Sequence, residues 1–315
     1  MKIPIQTKGR GKAALKPAKG GRAQAPRNEV SLKDRLNSAA FLAPSFIGVL
    51  VFFILPFLVV IYYSVVDNPI SHNFVFLQNF ANVLKNGAFR KAAVNTLQFS
   101  AVAVPLAVIL SLGLAVLLES KIPFRSQFRT FFLSPMMVPV ASVVLIWQVL
   151  FHYNGVVNDF LGHFGFQAID WLKSEQGKIV LVLLFLWKNL GYNMILFMAA
   201  LGNIPQDIIE VATLDTSSRA QIFFRIKLRY LSPTLLFVTI FSLINSFKVF
   251  REIYLLTNDY PFDSVYMLQH FMNNTFENLD YQKLSAAAII MAVVIVFLIG
   301  FLFIAEDRFG KDVEG

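Results

Sequence analysis

The chain has 315 residues, of which 56% are hydrophobic and 15% are charged, and its mean hydropathy is +0.61. This fraction of charged residues is too small to cover the surface of a water-soluble protein of such length, so we expect much of the surface to face lipid. The chain contains no cysteine, which excludes disulfides, thiolate metal sites and cysteine nucleophiles. Its formal net charge of +9 raises the question of a nucleic-acid partner.

The basic residues are concentrated at the N-terminus, in a Gly/Ala/Lys/Pro-rich segment over residues 1–36. This segment carries Lys2, Lys8, Arg10, Lys12, Lys16, Lys19, Arg22, Arg27, Lys33 and Arg35. Such a segment beside the first apolar run is typical of a cytoplasmic topogenic signal, which argues against nucleic acid as a partner. Because it has few apolar residues, we expect it to be a disordered cytoplasmic tail.

Six stretches have the ~20 mostly apolar residues that crossing a hydrocarbon core of ~30 Å requires. They are Phe41–Val66, Thr96–Leu118, Thr130–Phe151, Ile179–Leu201, Leu231–Phe250 and Ser285–Ile304. The sequence therefore predicts an all-α integral membrane protein with six transmembrane helices. The first stretch is too long and too far from the start for a cleavable signal peptide, so we expect it to be retained.

The expected organisation follows from these stretches. After the tail come a first transmembrane helix over residues 37–66, an external loop over 67–95, a domain of five further transmembrane helices over 96–305 and a cytoplasmic C-terminus over 306–315.

Lysine and arginine set the orientation, because basic loops resist translocation. The basic segments are the tail, the connection with Lys121, Arg125 and Arg129, and the connection with Arg219, Arg225, Lys227 and Arg229. The connections at residues 67–95, 152–178 and 251–284 are poorer in basic residues. Both termini are therefore predicted to lie in the cytoplasm.

Two classes of activity find little support. No Asp or Glu lies inside the six predicted stretches, whereas proton-coupled carriers usually depend on an intramembrane carboxylate. A membrane-embedded enzyme would need clustered His, Asp and Glu, but His72, His152, His163 and His270 are scattered over connections and a span end. The chain also lacks the G-x-x-x-x-G-K-[ST] pattern of a P-loop, so it is not expected to bind ATP in that way. A passive channel or a subunit powered by a separate ATPase is favoured over both.

The connection over residues 202–230 is the most informative part of the sequence. Pro205 suits the first turn of a helix, and Asp207 with Glu210 would interact favourably with the positive end of its dipole. Ile208, Val211, Ala212 and Leu214 recur at near-helical spacing. Thr216, Ser217 and Ser218 then interrupt the run and offer a cap for a second helix. The pattern predicts a helix-turn-helix on the cytoplasmic face. An isolated amphipathic helix lying in the lipid headgroups would explain the same pattern.

This segment resembles the signature cytoplasmic loop of binding-protein-dependent ATP-binding-cassette permeases, with the pattern I-P-x-E-L-x-E-A-A-x-I-D-G-A-S followed by Q-x-F and I-x-L-P-x-L-x-P. The matching residues are Ile204, Pro205, Glu210, Ala212, Asp215, Ser218, Gln221, Phe223, Ile226, Leu228, Leu231 and Pro233. The departures are Val211, Thr216, Ser217 and Arg229. Thr216 stands where the family has Gly, and Thr resists the positive-φ turn that Gly permits.

Shorter fragments extend the resemblance over most of the chain and favour the carbohydrate-uptake branch, similar to maltose and glycerol-phosphate permeases. They include Phe41–Pro44 with Leu55-Pro56, Asn79-Phe80, Asn95-Thr96, Phe128–Thr130, Trp147, Gly155, Phe247–Phe250 and Leu256-Thr257. The family's Gly-Gly-Pro is here Asp259-Tyr260-Pro261.

The resemblance implies one subunit of a sugar importer in a bacterial plasma membrane. Its partners would be a second permease subunit in a heterodimer, two ATPase subunits that bind the ATP, and an external sugar-binding protein. The chain itself would need no cofactor and would not be an enzyme. The residues contacting an ATPase would be Pro205, Ile208, Glu210, Val211, Ala212, Leu214, Asp215 and Thr216.

A sugar path needs hydrogen-bonding groups and aromatic faces inside an otherwise apolar bundle. The candidates are Trp147, Trp187, Lys188, Asn189, Tyr192, Asn193, Ser242, Asn245 and Lys248, and Glu252 continues the stripe of the last three. These side chains either line a path or join one helix to another. Lys188 is the most distinctive, because an ammonium in the middle of a span needs a counter-group or water.

Overall fold

The computed structural model describes residues 32–120, 122–216, 218–257 and 261–310, and these form helices and turns with one isolated bridge, Val66 to Phe74. The predicted all-α class is confirmed for these residues. The chain separates into two units, Met1–Leu55 and Pro56–Gly315. Most of the predicted basic tail lies outside the described residues, although a helix already begins at Leu32.

The first unit contains α1 (Leu32–Val49) and a π-helical turn (Leu50–Ile54). The helices from α2 onward are α2 (Leu55–Ser64), α3 (Gln78–Lys85), α4 (Gly87–Glu119), α5 (Arg125–Met137), α6 (Val140–Leu150), α7 (Val156–Gly162), α8 (Gly177–Gly202), α9 (Gln206–Asp215), α10 (Arg219–Ile222), α11 (Leu228–Tyr230), α12 (Ser232–Phe247), α13 (Phe250–Thr257), α14 (Leu268–Glu277) and α15 (Tyr281–Gly310). A π-helical turn, Phe223–Lys227, joins α10 to α11, and a 3-10 turn, Asp263–Val265, precedes α14.

Among the described residues, five helical stretches are long and apolar enough to cross a membrane. They are Ala40–Ser64, Gly87–Glu119, Gly177–Gly202, Ser232–Thr257 and Tyr281–Arg308. Each overlaps one of the predicted stretches, but the second begins nine residues earlier than expected. Consequently α3 and the start of α4 occupy the connection that was expected to be an external loop.

The predicted third span is instead a broken pair of helices. Helices α5 and α6 bend by 101° at the short break between Met137 and Val140. Pro139 explains the break, because it lacks a backbone donor and disfavours the helical conformation of the residue before it. Val138 is accordingly extended, with φ −87° and ψ 131°. The pair adds a sixth candidate span only if its two helices together cross the membrane.

Helix α4 lies at the centre of the second unit and packs against both α8 and α12. Its buried face carries a run of small residues at every fourth position, and each has no exposed surface. They are Ala103, Ala107, Ser111 and Ala115. Residues four apart lie on one side of a helix, and small side chains there let neighbouring helices approach closely in a membrane protein. The core of the bundle is therefore built on close contact along α4.

The connection after α2 is closed by the carboxylate of Asp67. It accepts hydrogen bonds from Ser71 Oγ at 2.7 Å, from the backbone N of Asn68 at 2.6 Å, and from the backbone N and the Nδ2 of Asn73 at 2.9 and 3.1 Å. These donors, with Ser71 the strongest, lower the pKa of the Asp67 carboxyl. Because its pKa is lowered on folding, the bonds stabilise the turn above the ordinary pKa and are lost as the pH falls through the lowered one.

Gly191 allows α8 to lie directly against the backbone of α5. A Cβ at this position would lie 1.9 Å from the carbonyl oxygen of Phe132 and 3.1 Å from the backbone nitrogen of Leu133. No side chain fits there, since the obstructing atoms belong to the backbone. Gly191 therefore fixes the distance between α5 and α8.

We predict that Gly191→Ala destabilises the protein by about 1–3 kcal/mol, because the added methyl must push two helix backbones apart. The matched control is Gly113→Ala in α4, where an added Cβ meets nothing within 4 Å and where the better helix propensity of Ala should be neutral or stabilising. Thermal unfolding of the purified protein in detergent, followed by circular dichroism, would compare them. Equal midpoints for the two variants would contradict the close contact.

Candidate functional site

Helices α8 and α12 place their polar side chains towards each other. On α8, Lys188 and Tyr192 are four residues apart, and so are Asn189 and Asn193, so the four side chains share one side of the helix. The segment from α12 into α13 contributes Phe241, Asn245, Lys248 and Glu252, which follow one another at intervals of three or four residues. This arrangement produces a cavity of about 220 Å³ between the helices, open on one side.

The cavity combines charged, amide and aromatic groups with an apolar wall. It is lined by Met136, Leu184, Phe185, Lys188, Asn189, Tyr192, Phe241, Asn245, Lys248, Val249 and Glu252. Five of the candidates from the sequence, Lys188, Asn189, Tyr192, Asn245 and Lys248, therefore line one cavity. This mixture suits a small polar molecule with apolar faces.

The charged groups of the cavity include one ion pair. Lys188 Nζ donates to Glu252 Oε1, and the whole Glu252 residue is only 6% exposed. The sequence predicted that Lys188 needs a counter-group, and the structure supplies one. It also corrects one expectation, because Glu252 was placed beyond the fifth span yet lies within the stretch Ser232–Thr257. A carboxylate is thus present in a candidate span, paired with a lysine.

The amide groups of the cavity are also connected. Asn245 Nδ2 donates to Asn189 Oδ1 at 3.1 Å, and Asn189 Nδ2 donates to the carbonyl oxygen of Phe185 at 2.8 Å. On the same wall, the rings of Tyr192 and Phe241 lie 5.0 Å apart between centroids. Hydrogen-bonding amides therefore face the cavity beside an aromatic surface.

The remaining candidates lie outside the cavity lining. Asn193 and Ser242 are fully buried, and Asn193 Nδ2 donates to Ser242 Oγ at 2.9 Å. They join α8 to α12. Trp147 stacks on Phe151 with centroids 5.2 Å apart, and Trp187 lies 6.2 Å from Trp147. The two tryptophans form an aromatic cluster between α6 and α8.

Five lining residues were missed by the sequence-based prediction, namely Met136, Leu184, Phe185, Phe241 and Val249. Met136 reaches the cavity because α5 ends at the break before Pro139, which hydropathy did not reveal. Phe241 lies four residues before Asn245 and therefore on the same side of α12. That spacing was a usable signal for Phe241, whereas nothing in the sequence singled out Met136.

The connection between α8 and α12 has the predicted two short helices. Pro205 precedes α9, and Ser218 Oγ accepts a hydrogen bond from the backbone N of Gln221 at 3.4 Å as the cap of α10. Thr216 is extended, with φ −150° and ψ 138°, so this turn needs no glycine. Its Oγ1 donates to Gln221 Oε1 at 2.8 Å. Ser217, another departure from the pattern, lies outside the described residues.

One side of α9 is exposed and the other packs on the bundle. Ala212 is only 6% exposed and Ile208 is half-buried. Leu214 and Val211, by contrast, are 87% and 60% exposed, and Glu210 is exposed beside them. Pro205 and Asp215 are exposed too, and Thr216 is half-buried. The helix therefore presents an apolar edge with a neighbouring carboxylate to the outside.

The end of this connection is tied to α4 by a second ion pair. Lys227 Nζ lies 2.7 and 2.8 Å from the two carboxylate oxygens of Glu119, the last residue of α4. Both side chains are partly shielded. The described residues contain no group of three or more His, Asp or Glu side chains suited to a metal ion, so the cavity and α9 are the features on which a function can be built.

A helical membrane bundle with a polar cavity between two spans and an exposed amphipathic helix in one connection defines a membrane transport protein. Residues 103–314 match the family described as the binding-protein-dependent transport system inner membrane component. The chain belongs to this family.

Known relatives extend the similarity beyond those residues. The sulfoquinovosyl glycerol transport system permease protein SmoG of Agrobacterium fabrum is 30% identical over 83% of this chain and 87% of its own length. The trehalose/maltose transport system permease protein MalF of Thermococcus litoralis is 30% identical, with 84% and 91% covered. The sn-glycerol-3-phosphate transport system permease protein UgpA of Salmonella typhimurium is 29% identical, with 85% and 91% covered.

The same architecture occurs in solved structures. A chain of a bacterial ABC transporter involved in the import of the acidic polysaccharide alginate superposes with a TM-score of 0.77 at 21% identity, covering 88% of this chain and 97% of that one. This likeness concerns the fold. The family match and the curated relatives confirm the resemblance to permeases of carbohydrate-uptake ATP-binding-cassette importers. The chain is thus a multi-pass transport permease rather than an enzyme.

We predict that Glu252→Gln lowers the stability of the protein by about 3 kcal/mol, since it leaves the Lys188 ammonium without its counter-charge inside the bundle. The double variant Lys188→Met/Glu252→Gln removes both charges and should cost less than Glu252→Gln alone. Thermal unfolding in detergent of the two single variants and the double variant measures the coupling. Strict additivity of the two single effects would show that the pair makes no net contribution.

Proposed function

We propose that the chain is the six-span half of a heterodimeric, ATP-driven importer. It conducts a sugar or oligosaccharide past the cavity between α8 and α12. Its helix α9 docks on an ATPase subunit. The observation that carries this proposal is that α8 and α12, which line a polar cavity, are joined by the connection that contains the exposed helix α9. The sixth span is the bent pair α5–α6. Both termini lie in the cytoplasm, as the distribution of basic residues predicts.

The chemistry of the cavity supports a carbohydrate. A sugar presents hydroxyl groups around its ring and less polar faces above and below it, so its binding site needs both amides and aromatic surface. Asn189 and Asn245 supply the amides, while Tyr192 and Phe241 supply the aromatic surface. The second permease subunit completes the path.

The exposed edge of α9 supports docking of an ATPase. Val211 and Leu214 expose apolar surface that a soluble partner would bury, and Glu210 is exposed beside them. We assign Glu210 as the polar anchor to a basic residue of the ATPase. Ala212 lies on the buried side of α9, where its small side chain lets the helix pack against the bundle.

The energy for transport comes from the partner subunits. ATP-driven closure of two ATPases moves the docked α9 helices as rigid bodies. The Glu119–Lys227 pair passes this motion to α4, and the chain passes it to α8 and α12, which line the cavity. An external binding protein delivers the sugar, and this chain binds no nucleotide itself.

We predict that Glu210→Arg abolishes sugar uptake and sugar-stimulated ATP hydrolysis by the complete importer, because it places a cation against the basic anchor on the ATPase. Co-purification of the ATPase and uptake into proteoliposomes are the measurements. The control, Asp159→Arg, makes the same charge change at an exposed position of α7 and should retain the ATPase. Normal sugar-stimulated turnover with Glu210→Arg would overturn the assignment of α9.

We further predict that Lys227→Glu lowers coupled ATP hydrolysis by about fivefold, which corresponds to about 1 kcal/mol, because it sets two carboxylates against each other. The exchanged pair Glu119→Lys/Lys227→Glu restores the attraction and should recover most of the activity. The readout is sugar-stimulated ATPase activity at constant ATPase occupancy. Equal losses in the single and the exchanged variants would show that the pair does not transmit motion.

A further inference from the structure

The charges around the cavity do not cancel. Its lining contains two ammonium groups, from Lys188 and Lys248, and one carboxylate, from Glu252. Lys188 is paired with Glu252. The remaining positive charge belongs to Lys248.

Lys248 has no counter-charge among the described residues. Its backbone nitrogen donates to the carbonyl oxygen of Asn245 at 3.1 Å, which places it directly after α12. No carboxylate of the described residues forms an ion pair with its ammonium group. It is exposed to the cavity, whereas the adjacent Phe247 and Val249 are buried. Its position is therefore set by the backbone, and its charge is left available.

The location makes this charge significant. Lys248 lies inside the candidate span Ser232–Thr257, nine residues before its end. A charged side chain within a membrane span costs a few kcal/mol, and such residues usually face a water-filled cavity and mark a path for substrate. Because the side chain lines the cavity, an anion that enters the cavity offsets this cost.

We propose that the carbohydrate transported by this permease carries an anionic group, a carboxylate, phosphate or sulfonate, and that Lys248 receives that group while the cavity binds the rest of the sugar. This inference rests on the proposed function. The anion pairs with the ammonium of Lys248 alone, because Lys188 is already paired with Glu252. That pairing also keeps the Glu252 carboxylate from repelling the anion. Glu252 would otherwise place a buried negative charge on the wall that an acidic sugar must pass.

The neutral parts of the ligand have their own contacts. Asn189 and Asn245 offer amide groups on the same lining, and the Tyr192–Phe241 pair offers an aromatic face. Lys248 follows Asn245 by three residues, directly after the end of α12, and both side chains line the cavity. An acidic sugar can thus contact both groups at once.

The test uses the complete importer, with its second permease, ATPases and binding protein, in proteoliposomes. The probes are labelled hexoses and disaccharides, each compared with the same sugar carrying a carboxylate or a phosphate at C6. We expect uptake to favour the anionic members. Lys248→Gln should raise the KM for these by roughly tenfold or more, as expected for loss of a charge-assisted hydrogen bond, and Lys248→Arg should retain most of the affinity.

The matched control is Lys173→Gln, which removes an ammonium group at an exposed position outside the cavity lining and should leave the KM for every sugar unchanged. Preferential uptake of the neutral sugars, or an unchanged KM for the anionic ones in Lys248→Gln, would overturn the assignment of Lys248. In that case the second permease subunit supplies the counter-charge and the importer carries neutral sugars. Failure to take up any sugar would instead overturn the proposed function as a whole, and the anionic preference with it.

Discussion

Polar side chains inside a membrane bundle must find partners within the protein, because lipid offers none. The second unit satisfies this constraint by pairing polar residues across its central helices. Ser100 of α4 and Ser246 of α12 lie 2.7 Å apart, and Asn193 of α8 binds Ser242 of α12. These bonds form only at one relative rotation of the helices. With the small residues of α4, which permit close contact, they hold α4, α8 and α12 in one arrangement and so determine which side chains face the cavity.

The cavity lies where this pairing is incomplete. Asn189 and Asn245 bind each other, and Lys188 binds Glu252, but Lys248 has no counter-charge within the part of the chain that the structure describes. The charged groups distinguish the wall of the cavity from the core, since the core also contains an unpaired polar atom, Asn193 Oδ1.

The main helices could be predicted from sequence because hydropathy and length are local properties. The break in the third span could not, since the apolar run continues through Pro139 and hydropathy ignores backbone geometry. Within the site, the need of Lys188 for a counter-group follows from elementary electrostatics, and Glu252 lay on the predicted stripe. Asn193 and Asn189 show the limit. Both are asparagines on one stripe, yet one is buried between helices and the other lines the cavity, a difference set by helix rotation.

Other lining residues could not be recognised in the sequence because their residue types are common in this chain. The chain has 33 phenylalanines, so the identity of Phe241 alone carries little information, and only its spacing from Asn245 connects it to the site. The connection around α9 was easier to predict, because proline, acidic residues and hydroxyl caps affect helix formation only within a few residues of their own positions. The departure at Thr216 proved to be compatible with the fold, since its extended backbone suits a residue with a Cβ.

The way α9 is held determines what its movement can do. Ile204 before the helix and Leu231 after the connection are both buried in the same apolar cluster as Leu118 of α4. The connection is therefore fixed to the bundle at each end, and the Glu119–Lys227 pair adds a third attachment. In the proposed mechanism, a force on the exposed edge of α9 would reach α8 through Ile204 and α12 through Leu231. These helices carry the cavity residues Lys188 and Asn245.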